Sequence, residues 1–197
     1  MDAVATLLAA LRRPLPPAEP APALTAPERL ALPGGRAVLL RTITAADAEA
    51  EQDFVAHLSL DSRHKRFHIG LQRLSPGLLR QMIEVDQRDH VALVAEVLDG
   101  SGVLVADARY VRDPAQPDAA EFAIAVADDW QSLGLGRALM ARLAARARRD
   151  GLRRLFGDVL HGNRRMQVLM QGLGATAHAH PDGPQLMRLV FELENSL

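Results

Sequence analysis

The chain of 197 residues contains no cysteine. Disulfides, a thiolate nucleophile and cysteine-type zinc sites are therefore excluded, and a reducing, cytoplasmic location is the expectation. Lysine is almost absent: of 23 basic residues, only Lys65 is a lysine. Aromatic residues make up 4%, with one tyrosine, Tyr110, and one tryptophan, Trp130. No apolar run approaches the ~20 residues of a membrane span. The apolar stretch from Ala3 to Leu11 is followed, not preceded, by Arg12 and Arg13, which argues against a secretory signal. A net charge of −1 gives no global pull toward nucleic acid or membrane, so neither is expected as a partner.

What is present is an ordinary globular composition, 48% hydrophobic and 24% charged, enough for one domain with a real core. Residues 1–28 form a separate zone, with Pro14, Pro16, Pro17, Pro20, Pro22 and Pro27. Proline at that density prevents helix interior and central strand, so a Pro/Ala-rich tail or linker is expected there, followed by a single domain over 29–197. Strands are expected over 36–43, 90–97, 102–110, 121–126, 154–160 and 187–193. Helices are expected over 47–60, from the Ser75-Pro76 cap to Val85, over 135–150 and over 163–173. In the 135–150 helix Leu135, Leu139, Leu143 and Ala147 form the apolar stripe, with Arg142, Arg146 and Arg149 opposite. Hairpin-linked strands followed by strand–helix–strand indicate an α/β (α+β) fold with a mixed, mostly antiparallel sheet flanked by helices.

The most informative segment joins the 121–126 strand to the next helix through Gln131, Gly134 and Gly136. Glycines at a helix start let backbone N–H groups converge on an anion, and the helix dipole adds roughly half a positive charge there. A Walker-type loop needs a lysine that is missing here. A dinucleotide fingerprint would find its acidic ribose ligand in Asp158, 22 residues past Gly136, but Leu139 stands where the third glycine belongs.

The spacing Val126-x4-Gln131-x2-Gly134-x-Gly136-x2-Leu139 resembles motif A of the GNAT superfamily of N-acetyltransferases. Asn163-x2-Met166-x2-Leu169-Met170-x2-Leu173-Gly174 resembles its motif B. The resemblance runs from about Arg36 to the C-terminus. Within the superfamily, the segments Leu60 to Phe67, Ala108 to Pro114, Ala120-Glu121-Phe122 and Asp128 to Gln131 look like the Pat-like branch of bacterial protein-lysine acetyltransferases.

The resemblance implies a GNAT fold with a splayed central strand pair, acetyl-CoA as cosubstrate without a metal, and acetyl transfer by direct attack of a primary amine. The acceptor it implies is a protein lysine; the alternatives are a small-molecule amine, or an acetyl-CoA-sensing module that performs no transfer. Backbone from Leu133, Gly134, Leu135, Gly136, Arg137 and Ala138 would hold the pyrophosphate. Ile124, Ala125 and Val126 would pair with the pantetheine arm, and Gln131 and Asn163 complete the cofactor set, Asn163 having helix capping as its simpler role. Glu121 is the expected general base. Strand alternation puts it with Ala123 and Ala125, unless a bulge changes the facing.

Met170 occupies the position of the usual motif-B tyrosine, and methionine cannot donate a proton. Tyr110 reads as structural, and His161 as a weaker candidate acid. Arg63, Lys65 and Arg66 form a basic group, either a solvated turn or a wall of the acceptor site. His178 and His180 read as solvated loop residues, and Trp130 as packing on the turn. His64 and His68 have i, i+4 spacing, but no third metal ligand is suggested nearby. The oligomeric state is not legible.

Overall fold

The computed structural model describes residues 27–69 and 71–193. The expected tail therefore lies outside the described residues up to residue 26. Eight strands form one sheet: β1 (Glu28–Ala31), β2 (Ala37–Thr42), β3 (His90–Val97), β4 (Leu104–Asp113), β5 (Gln116–Val126), β6 (Arg154–Leu160), β7 (Thr176–Ala179) and β8 (Leu186–Glu192). Their order is β1-β2-β3-β4-β5-β6-β8-β7. Every neighbouring pair is antiparallel except β5 with β6. The helices are α1 (Ala48–His57), α2 (Leu60–Phe67), α3 (Pro76–Ile83), α4 (Leu135–Arg149) and α5 (Arg164–Gln171).

Each face of the sheet has its own core. In β3 the unbroken apolar run divides by strand alternation: Val91, Leu93 and Ala95 join one cluster, Ala92 and Val94 the other. The first cluster packs under α4 and α5 and contains Leu135, Leu139, Leu143, Ala147 and Met170. The second lies under α1, α2 and α3, around Phe54, Phe67, Leu74 and Met82. Ser75 caps α3 by accepting from the Leu78 amide at 3.3 Å, with Pro76 in the first turn.

The structure departs from the sequence expectations in several places. The 47–60 helix is two helices, because Leu58 and Ser59 turn extended and the Ser59 hydroxyl caps α2 at the Ser62 amide. Strand β5 begins at Gln116, five residues early. Pro117 is tolerated because it falls where the β4–β5 register shifts, so its missing N–H costs no ladder bond. The short, largely exposed β1 and β7 were not expected, since neither has an apolar alternation to announce it. Glu28 belongs to β1 and receives the Arg142 guanidinium, which is thus engaged and not simply a solvated face. Arg146 is buried and donates to Asp150 at 2.7 Å. Trp130 packs against the core edge, with the Arg36 guanidinium 5.0 Å from its ring centre.

The β5–β6 pairing is confined to Ala119–Arg154, Ala120–Leu155 and Glu121–Phe156, whereas β5 stays paired with β4 through Val126. The two strands therefore part after Glu121, as the resemblance implied. The Phe122 ring lies against Gly157 at the parting point: a Cβ on Gly157 would stand 2.8 Å from two ring carbons. Replacing Gly157 by alanine should destabilise the protein by about 1–3 kcal/mol, since the ring must leave its place. A urea unfolding midpoint equal to the parent's would show that the ring yields freely.

Candidate active site

The parting strands open a groove of about 920 Å³ along β5, walled by Ile124, Ala125 and Val126, the turn before α4, and the N-terminal part of α5. A smaller hollow of about 50 Å³ adjoins it on the α2–α3 side, with Glu121 and Asp158 among apolar Phe67, Ile69, Leu78 and Met82. Lys65, Arg66, Ile124, Asn163 and Met166 line both.

The turn owes its shape to two left-handed residues, Ser132 at φ 62° and Gly134 at φ 85°. Gly134 is the N-cap of α4, and its carbonyl receives the first helical bond, from the Ala138 amide at 3.0 Å. Ala138 thus spends its N–H on the helix, while Leu135, Gly136 and Arg137 occupy the first turn, where amides have no helical acceptor. The side chains of Leu133, Leu135 and Ala138 are not among those lining the groove, so these residues would contribute backbone only. Gly136 permits a close approach: a Cβ there would stand 3.4 Å from Leu169 and 3.8 Å from Ile124 and Val126. The Arg137 guanidinium turns away to the Gly172 carbonyl at 3.0 Å and ties α4 to the end of α5.

Gln131 spans the groove mouth. Its amide donates to the Val126 carbonyl at 3.0 Å and the Ser62 hydroxyl at 3.3 Å, and its oxygen accepts from Arg165. The carboxylate of Asp128 accepts from the Ser59 amide and from the hydroxyls of Ser59 and Ser62, at 2.8–2.9 Å. Two stretches quoted for the Pat-like resemblance, far apart in sequence, are thus bonded together, and α2 is clamped to the turn. Asn163 is the cap of α5, accepting from the Met166 amide at 3.3 Å, and it also lines the groove.

Glu121 is on the α1–α3 side with Ala125, as strand alternation requires, and no register shift interrupts its pairing with β4. It is 8% exposed, and burial pushes its carboxyl up to about 8. Asp158 contributes to that rise, and the guanidinium groups of Arg188 and Arg66 oppose it. In Asp158 burial is overcome by Arg188, which forks onto it at 2.7 and 2.8 Å, and by His180, so it is held below the usual carboxylate range. His180 is therefore a buried partner of Asp158 at 3.0 Å, not a solvated loop residue. The site holds two carboxyl groups whose proton affinities are driven apart, a pattern that separates acid–base roles.

Tyr110 is fully buried beneath α4 and donates to Asp150; burial and that bond raise its pKa and leave it structural. Met170 is sealed in the core. His161 is exposed on the turn after β6 and lines neither hollow. Arg63, Lys65 and Arg66 lie on α2, not on a turn: Arg63 donates to the Ala56 carbonyl, Lys65 pairs with Asp61, and Arg66 is buried. The burial of Arg66 could not be read from sequence, because its counter-charges, Asp107 and Glu51, come from β4 and α1. Among the described residues, no group of three or more His, Asp or Glu side chains is placed to hold a metal ion. No helix among them is long and apolar enough to cross a membrane.

A glycine-opened helix beside a parting parallel strand pair defines the class, and the family comparison agrees: the acetyltransferase (GNAT) family profile matches residues 52–175. The chain belongs to this family and is an acetyl-CoA-dependent N-acyltransferase. It is 37% identical over 152 residues to acetyltransferase PA5475 of Pseudomonas aeruginosa, covering 77% of this chain and 81% of that protein. It is 34% identical over 137 residues to acetyltransferase Pat of Mycolicibacterium smegmatis, covering 69% of this chain but 40% of that longer protein. The crystal structure of the GNAT domain of S. lividans PAT superposes with a TM-score of 0.77 at 31% identity, covering 84% of this chain and 96% of that one. The Pat-like resemblance is thus carried by sequence and by fold.

The Glu121 environment has a consequence for stability. A carboxyl whose pKa is about 8 folded and near 4.5 unfolded withdraws stability as pH rises between those values. Glu121→Gln should therefore gain stability over the parent across pH 5 to 8, on the order of a few kcal/mol by urea unfolding. A pH-independent difference would contradict this electrostatic account.

Proposed function

We propose that the protein transfers the acetyl group of acetyl-CoA to the ε-amine of a lysine in a protein acceptor, by direct attack with Glu121 as base. The observation that carries this reading is the placement of Glu121: a carboxyl of raised proton affinity where the donor groove meets a narrow, apolar-walled hollow. Phe67, Ile69, Leu78 and Met82 suit the methylenes of an unbranched amine, and the hollow's small volume excludes a bulky acceptor head. The likeness to the Pat-like branch, for which the resemblance implies a protein lysine, supports the protein acceptor.

On this reading the pyrophosphate rests on the amides of Leu135, Gly136 and Arg137, and the pantetheine arm runs along Ile124 to Val126, where β5 has unpaired edge groups facing the split. Gln131 and Asn163 border it. A lysine amine is protonated near pH 7, with a reference pKa of about 10.4, and must lose a proton before it attacks. In its ionised form Glu121 receives that proton. Its raised affinity places it closer to the amine than an ordinary carboxylate would be, which is what efficient general-base catalysis asks for. The C–N bond forms as the C–S bond breaks, the nitrogen releases its second proton to water, and the sulfur leaves with the electron pair. The residues from β1 to β8 would constitute the catalytic domain, with the Pro/Ala-rich segment before them as a linker and the cytoplasm as the site of action.

Three measurements test this. Calorimetry should show acetyl-CoA binding that Gly134→Asp abolishes, because the new carboxylate enters the anion seat at a left-handed position. Glu121→Gln should retain binding and lose about 10²–10⁴-fold in transfer rate; full rate across pH would remove Glu121 as base. An acceptor screen reading released thiol and acetyl-lysine should favour protein over free small amines, and the reverse order would reassign the acceptor.

A further inference from the structure

In the proposed reaction the departing sulfur gathers negative charge that a nearby group must receive. The motif position that would carry a tyrosine holds Met170, which is wholly buried in the α4–α5 core and lines neither hollow. The single tyrosine is committed to Asp150. Of the polar side chains lining both hollows, Lys65 is paired with Asp61 at the rim, and Asn163, whose oxygen caps α5, offers only a neutral amide donor.

The third is Arg66. Its side chain is 4% exposed; its guanidinium stands 4.9 Å from the Phe67 ring centre, Nη2 is 3.7 Å from Asp107 Oδ1, beyond a hydrogen bond, and Nη1 has no hydrogen-bond partner. A buried cationic donor with unused N–H groups is costly unless something arrives to use them. The side chain comes from the α2 segment that Asp128 and Gln131 clamp to the turn, and Arg66 lines both hollows.

We infer that Arg66 is a catalytic residue of this site, its free N–H groups taking up the negative charge that develops on the thioester sulfur as CoA departs. The inference rests on the acetyl-transfer reading above. The electron pair of the C–S bond goes to sulfur, one amine proton goes to Glu121 before attack, the second passes to water as the amide forms, and Arg66 stays protonated throughout, holding the thiolate by charge-assisted hydrogen bonds. Glu121 then returns its proton to the sulfur, and the site is restored. A guanidinium suits this task better than an ammonium, because it is weakly hydrated and remains charged where a lysine would lose its proton. The charged groups around it are Glu51 on α1, Asp107 and Arg109 on β4, and Glu121 on β5. Burial works against its charge, and Asp107 opposes that loss.

The absence of cysteine makes a direct test available: any thiolate absorbance in a CoA complex comes from CoA alone, and Tyr110, with its raised pKa, stays silent. In the parent protein, CoA bound at saturation should titrate at least one pH unit below a free thiol, whose reference pKa is about 8.5. Arg66→Gln should move that titration up by about one unit or more while CoA still binds, and should lower the rate constant for transfer roughly 10²–10³-fold with little change in KM for acetyl-CoA. Arg66→Lys, whose ammonium holds its proton less firmly in this buried place, should fall between the two. Glu121→Gln should lose transfer without raising the bound thiol's pKa, so failure of the base assignment and failure of this one read differently. A parent complex whose CoA thiol titrates at or above the free value overturns the inference, even if Arg66→Gln does not fold. So does an Arg66→Gln complex whose thiol titrates as the parent's does.

Discussion

The structure turns on one geometric conflict. Strand β5 is held by β4 along its whole length to Val126, yet abandons its parallel partner β6 after Glu121. A continuous sheet would satisfy more backbone groups, so the split must be held open by side chains. Phe122 against Gly157 does this from one face. From the other, α2 and α3 cover the gap with Phe67 and Met82. Everything chemical follows from that split: an unpaired strand edge, a groove beside a helix N-terminus, and a carboxyl at the last paired position.

The α1–α3 side of the split is unusually charged for a protein interior. Glu51, Arg66, Asp107, Arg109 and His90 are buried together, with Arg109 forked onto Asp107 and bonded to the Met82 carbonyl. Burial raises Glu51 to about 8 and pushes His90 well below its usual value. Asp107 faces the guanidinium groups of both Arg66 and Arg109. Such an interior gains little stability over an apolar one. Its use lies in a fixed electrostatic environment that need not reorganise during reaction.

Much of this was legible in the chain. Leu135, Leu139, Leu143 and Ala147 announced their helix by period, and the Gln131–Gly134–Gly136 spacing with the Asn163 segment announced the donor site. Alternation gave the facing of Glu121 correctly, since pleat geometry is local. The misreadings share one physical origin. The break at Ser59, the burial of Arg66, Arg146 and His180, and the early start of β5 depend on partners distant in sequence: Asp128, Asp107, Gln87 and Asp158, and the β4 register. A polar residue looks solvated until its counter-charge is known, and that counter-charge is a tertiary fact.

Sequence by itself determined the class of enzyme and the kind of donor, because a phosphate-binding turn is built from backbone freedom and the helix dipole, both encoded within a few residues. Tertiary structure alone decided which side chains border the split. Glu121 acquires its proton affinity from burial and from Asp158 across the split, and Arg66 acquires its place from a clamp between α2 and the turn. Those properties belong to long-range juxtapositions in a low-dielectric interior, and no local pattern carries them.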